Sequence, residues 1–155
     1  MPVFVNSLQK KMKADPKLLK VLSSVVETAL KMEGRNDDPE VSIVLVEDEY
    51  IRELNLQYRH KDQPTDVLSF SMEEASEDEP SLEWDEGSML GDIIVSVETA
   101  ARQAEEYGHS ELREMAYLVT HGMFHLMGYD HENDDERRNM RDKEEHVLAI
   151  LDIPR

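Results

Sequence analysis

Between Ser110 and Gly128 the chain repeats apolar residues at helical spacing, with Leu112, Met115, Ala116, Val119, Met123 and Leu126 on one face. Ser110 offers the side-chain oxygen that a first helical turn needs, and Gly128 can turn left-handed where the helix stops. A helix with so long an apolar stripe must lie against other elements, which makes a layered domain the expected frame. The rest of the chain supplies those elements. Asp15 and Pro16 form an N-cap and first-turn pair for a helix that turns Leu18, Val21, Leu22, Val25, Val26 and Ala29 inward and stops at Gly34. Asp48 opens a shorter helix with Ile51, Leu54 and Tyr58 on one side and Arg59 at its end. Ser96 caps a helix through Val97, Ala100, Ala101 and Ala104 to Gly108, and Asn133 or Asp134 caps a last one carrying Met140, Val147, Leu148 and Leu151. Residues 3–5, 41–45, 65–71 and 90–95 are β-prone. The pattern predicts an α+β fold in a single domain spanning residues 1–155, a small four-stranded mixed sheet packed with about five helices. Strand order is not legible in it.

A chain of 155 residues can bury a core of its own. It has no cysteine, so any metal must be held by His, Asp or Glu, and neither a disulfide framework nor a cysteine nucleophile is available. The first residues lack the apolar run of a signal peptide and no segment is long enough to span a bilayer, which predicts a cytoplasmic protein with no membrane partner. The net charge of −18 is unevenly spread. Residues 1–35 carry +4, whereas residues 73–87 place eight acids among fifteen residues, in a stretch with Pro80, Gly87 and no periodicity. That stretch reads as an exposed acidic loop with Trp84 folded back on the surface.

The segment THGMFHLMGYDH carries the chemistry. His121 and His125 stand four apart on the expected helix, so both imidazoles face one side within reach of one ion. After Gly128, a turn through Tyr129 and Asp130 can bring His131 back toward them. Three histidines with an open fourth position describe a catalytic zinc site, one Zn²⁺ per chain, better than a closed structural one. His60, His109 and His146 read as exposed or locally bonded residues. The spacing is that of the metzincin peptidases with one difference: Gly122 stands where their general-base glutamate should be. An amine leaving group needs the proton which that glutamate passes on, so peptide hydrolysis is disfavoured. A phosphodiester instead demands positive charge around an anionic transition state, and Arg59 is the candidate to supply it beside the metal.

At this point the residues resemble a known family. HGMFHLMGYDH at 121–131 is similar to the H-G-x-x-H-L-x-G-Y-D-H signature of the YbeY-type endoribonucleases. NLQYRHKDQPTDVLSF at 55–70 resembles the family's second motif, LGDI at 90–93 its third, and DHENDDE leads into the last helix in the expected order. The resemblance implies a metal-dependent, single-strand-preferring endoribonuclease acting in ribosomal RNA maturation, at the 16S 3′ end, and in ribosome quality control. By position His121, His125 and His131 match the metal ligands and Arg59 the arginine of catalysis or phosphate binding. The implied partners are rRNA and the ribosome or its proteins. The acidic loop 73–87 looks longer than the family's, consistent with a surface insertion.

Several alternatives stay open in the sequence. Asp130 fits both a hydrogen bond to a ligand histidine and a turn cap, and Thr65, Asp66 and Asp92 lie in the resembling segments without a defined role. The nucleophile can be a ribose 2′-hydroxyl or metal-activated water. A ribosome-associated binding factor with a structural metal, or a hydrolase of another substrate, are the competing functions. The sequence does not give the oligomeric state, and the acidic charge predicts weak binding to naked RNA.

Overall fold

A computed structural model of the chain describes residues 3–9, 15–35, 37–72, 89–129 and 132–153. Its elements in chain order are β1 (Val3–Ser7), α1 (Pro16–Met32), β2 (Glu40–Val46), α2 (Asp48–Arg59), β3 (Val67–Ser71), β4 (Met89–Ser96), α3 (Val97–Tyr107), α4 (Glu111–Leu126) and α5 (Asp134–Ile150). The fold is the expected α+β domain, with one four-stranded mixed sheet and five helices among the described residues.

The caps are those that the sequence announces. Asp15, Ser96, Ser110 and Asn133 accept from the backbone N–H groups of Leu18, Thr99, Arg113 and Glu136. Between the two candidates for the last helix, Asn133 is therefore the cap. Asp48 begins α2 without capping it: its carboxylate instead accepts from the Ser96 and Thr99 hydroxyls and from Arg102, tying the start of α2 to the β4–α3 junction. Burial works against that carboxylate, but these three donors hold its pKa below the usual carboxylate range. The β-prone stretch 65–71 is strand only from Val67, because the Asp66 side chain accepts from the Val67 N–H and shapes a turn.

The strand order is β1-β2-β4-β3, with β1, β2 and β4 parallel and β3 antiparallel at the edge. Alternation sets the two faces. Val41, Ile43 and Leu45 of β2 and Ile93 and Val95 of β4 face the main core, whereas Val46, Ile94 and Leu68 face α2 and pack on Ile51. On β3, Val67, Ser69 and Ser71 pair with Val95, Ile93 and Gly91 and so share the main-core face.

Helix α4 is buried on more than one stripe. Leu118, Thr120 and Phe124 are buried as well as the expected Met115, Ala116, Val119, Met123 and Leu126. It lies against β3 and β4 while α1, α3 and α5 pack around it. Two glycines permit this closeness. A Cβ at Gly91 would lie 2.4 Å from the Phe70 carbonyl oxygen and 2.6 Å from Leu126 Cδ2, and one at Gly122 would lie 2.9 Å from Ile93 Cγ2. The C-terminal half of α4 is thereby set down on the sheet beside its edge strand.

Candidate metal centre and active-site cleft

His121 and His125, four residues apart on α4, are both half-buried, and their Nε2 atoms stand 3.1 Å apart with the rings nearly perpendicular at 83°. Two nitrogen ligands on one tetrahedral zinc, each about 2.0–2.1 Å from it, would be about 3.3–3.4 Å apart. The pair therefore already has nearly the separation that a shared ion requires.

The orientation of His121 has a physical cause on α5. Its Nδ1 lies 2.5 Å from Oε2 of Glu144, whose side chain is almost fully buried. A carboxylate can only accept, so Nδ1 carries the proton and Nε2 is left with its lone pair toward His125. This is the carboxylate–histidine arrangement that orients metal ligands elsewhere. Tyr117, one turn before His121, stacks on the imidazole with ring centroids 6.3 Å apart. Burial and then the Glu144 charge push its hydroxyl pKa up to about 12, so Tyr117 keeps its proton at neutral pH.

Both histidines open into a cavity of about 510 Å³ that is also lined by Arg59, Thr65, Asp66, Ser69 and Ser71. Arg59 is the last residue of α2. His60 adopts the left-handed conformation at φ 60° and closes the helix, and the chain beyond is held by Asn55, whose buried side chain donates to the Gln63 carbonyl at 2.8 Å, and by an Arg52–Asp62 ion pair. Sequence reasoning left Thr65, Asp66 and Asp92 without roles. Thr65 and Asp66 line the cavity, while Asp92 pairs with Phe70 on the sheet face turned to α2. The floor of the cleft at the end of α4 is fixed by Tyr129. Gly128 turns the chain at φ 97°, the Tyr129 N–H donates to Phe124 O, and its hydroxyl donates to Glu33 of the turn after α1, which Lys143 of α5 also meets.

Of the four site residues expected, three therefore meet in one cleft: Arg59, His121 and His125. His131 lies outside the described residues, as do Asp130, Trp84 and the acidic stretch 73–87. Among the described residues no group of three His, Cys, Asp or Glu side chains is placed to hold an ion. The fit for a metal rests on the converging nitrogens and on the buried carboxylate behind one of them. His60 and His146 are exposed and His109 bonds Glu114 at 2.6 Å, as the local reading of these three expected.

A model of the family described as endoribonuclease YbeY matches residues 4–152. The chain belongs to the YbeY family. Among its relatives, the endoribonuclease YbeY of Pelotomaculum thermopropionicum is 50% identical over 155 residues, covering both chains in full. That of Heliobacterium modesticaldum is 57% identical over 122 residues, 77% of this chain and 74% of its own. The solution structure of TM1509 from Thermotoga maritima superposes with a TM-score of 0.59 at 29% identity, covering 96% of this chain and 91% of that one. As a YbeY family member the chain carries its Arg59 and His121–His125 pair in one cleft, and Glu144 is the site residue that motif reading missed. Its signal was present: a carboxylate sits four residues after Met140 and three before Val147, on the inward stripe of α5.

Proposed function

We propose that the protein is a zinc-dependent endoribonuclease that cuts single-stranded segments of ribosomal RNA during its maturation, the 16S 3′ end among them, with a part in ribosome quality control. One observation carries the reading: the two imidazole nitrogens converge in a cleft that an exposed arginine also lines. The relatives are named endoribonucleases, which supports an RNA substrate. His121, His125 and His131 would hold the metal, one per chain, and when bound it supplies Lewis-acid charge and an acidified water at neutral pH.

The side chains of this protein divide the remaining work. Glu144 keeps the His121 proton on Nδ1. Arg59 presents a guanidinium to the phosphodiester, where it binds the non-bridging oxygens and favours the charge that gathers on them as the phosphorus becomes five-coordinate. Neither needs to donate a proton to an amine, in keeping with a phosphodiester rather than a peptide substrate. No helix among the described residues is long and apolar enough to cross a membrane. A cytoplasmic location and delivery of the RNA by a ribosomal partner complete the proposal, since a chain of charge −18 is ill suited to capture naked RNA unaided.

Metal content and RNA cleavage, measured together on wild type, His125→Ala and Arg59→Ala, test it. Wild type is expected to carry about one zinc per chain; His125→Ala loses metal and cleavage, and Arg59→Ala keeps metal and loses cleavage. Cleavage that survives both substitutions would sink the nuclease reading. Retained binding of ribosomes without any cleavage would favour a binding factor with a structural metal. A 2′-deoxy linkage at the cut site separates the nucleophiles, because it blocks attack by the ribose and leaves attack by water possible.

A further inference from the structure

A second cavity of about 560 Å³ adjoins the histidine cleft, and no part of the proposed reaction uses it. The end of α3 contributes Gln103 and Tyr107, the turn after it His109, α4 contributes Arg113 and Tyr117, and α5 contributes Arg141. It is joined to the first cavity in two places. Asp66 lines both, and Tyr117 lines the second while its ring stacks on His121, which lines the first. Tyr117 and His121, with ring centroids 6.3 Å apart, thus bring the two linings into contact.

The wall of this cavity combines three kinds of group. Tyr107 is 64% exposed and offers an open aromatic face, with the His109 ring tilted beside it at 6.1 Å. Gln103 donates to Asp66 Oδ2 at 3.3 Å, a long bond, so an amide and a carboxylate stand together with hydrogen-bonding capacity to spare. Two arginines line it, and they differ in what they offer. Arg141 is exposed, whereas Arg113 is buried, donates through Nη1 to Ile153 O, and has an Nε that meets no partner among the described residues. Of the acids in the lining, Glu114 is engaged by His109. The lining holds two acids, Asp66 and Glu114, beside the two arginines, so the charge it offers a ligand is local: the exposed Arg141 guanidinium, set near an open tyrosine face, suits a planar, hydrogen-bonding ligand that carries one anionic group.

We propose that this second cavity holds one unpaired nucleotide of the RNA substrate, its base stacked on Tyr107 and its phosphate met by Arg141, next to the linkage lying in the histidine cleft. The inference rests on the endoribonuclease reading and extends it: the enzyme grips the strand beside the cut as well as at the cut. A nucleotide in this cavity must be unpaired, because a paired base has its edge engaged and its faces stacked within the duplex. The pocket therefore selects single-stranded RNA and fixes which linkage reaches Arg59.

The test is equilibrium binding of a short single-stranded oligoribonucleotide by fluorescence anisotropy, followed by an abasic scan in which each base of that strand is removed in turn. Tyr107→Ala is expected to weaken binding roughly 5- to 100-fold, while Tyr107→Phe binds as wild type does. Arg141→Ala should lower the slope of log affinity against log salt by about 0.7. In wild type, one abasic position next to the cut should reproduce the Tyr107→Ala loss, and in Tyr107→Ala that position should have no further effect. If wild type binds and cuts RNA but Tyr107→Ala binds within twofold of it, or if no abasic position is sensitive, the nucleotide pocket is wrong and the nuclease reading stands. If wild type neither binds nor cuts the RNA, both fail together.

Discussion

Replacing Glu144 by glutamine tests the proposed metal centre from behind, without touching a residue that would reach the ion. The residue is 2% exposed and its Oε2 lies 2.5 Å from His121 Nδ1. Glutamine has nearly the same shape and its carbonyl oxygen can still accept from Nδ1–H, so the geometry is kept and the negative charge is lost. A hydrogen bond to a charged group contributes about 1.5–3 kcal/mol against about 0.5–1.5 for a neutral one, a difference of roughly 1–2 kcal/mol. Removing the partner of a ligand histidine typically costs about 10- to 100-fold in metal affinity, or about 1.4–2.8 kcal/mol, and the two routes agree in scale. The expected outcome is a zinc affinity about 10- to 100-fold weaker by competition with a chromophoric chelator. Circular dichroism and thermal melting of the metal-free protein provide the control for folding. An affinity within twofold of wild type would refute the reasoning, because Glu144 would then be neither orienting His121 nor polarising it.

Gly91→Ala should destabilise the domain by about 1–3 kcal/mol, lowering Tm by roughly 2–12 °C, because the new methyl would meet the Phe70 carbonyl and Leu126. A melting temperature within a degree of wild type would show that β3 yields freely there. Asp48→Asn should cost about 1–2 kcal/mol at neutral pH, since it weakens bonds from Ser96, Thr99 and Arg102. The Asp48 pKa is lowered in the folded state, despite the opposing effect of burial, so its stabilisation is full above the ordinary carboxylate value of about 3.9 and fades as pH falls through the lower folded value. Urea melts should therefore show a constant gap between variant and wild type from about pH 7 to 5 that closes below about pH 4, and a gap that widened on acidification would contradict this assignment.

The elements were legible because their signals are local. Asp15, Ser96 and Ser110 announce helix starts with a single hydrogen bond each, and Gly34, Gly108 and Gly128 announce ends by taking positive φ. The strand order was not, since the partners of Val41 and Ile43 are chosen by packing between residues about fifty positions apart. The same distinction divides the site. The His121–His125 pair is a four-residue interval on one helix, and the interval alone predicts that the rings meet. Arg59 lines the cavity of that pair from the end of another helix, α2, and no local interval joins the two in the sequence. Glu144 comes from another helix altogether, so its bond to His121 spans 23 positions and leaves only a carboxylate out of place in an apolar stripe. The central burial of α4 was understated for a related reason: Leu118 and Phe124 fall off the expected face and are covered by elements that the helix's own periodicity does not describe.

Gly122 connects this packing to the chemistry. In the peptidases that share the histidine spacing, the residue after the first ligand carries the general base. Here that residue is buried, and even a methyl group on it would lie 2.9 Å from Cγ2 and 3.2 Å from Cγ1 of Ile93, a side chain wholly enclosed by the core. A glutamate could be accommodated only if Ile93 moved or α4 lifted from β4, and lifting α4 would carry His121 and His125 away from Ser69 and Ser71 on the edge strand. The cleft thus requires close approach of helix to sheet, and close approach requires a residue without a side chain. That trade is untenable for an enzyme that must protonate an amine. It is acceptable for one whose leaving group is a ribose oxygen and whose main need is positive charge near phosphorus, which on the proposed reading Arg59 would supply from α2 without occupying any position on α4.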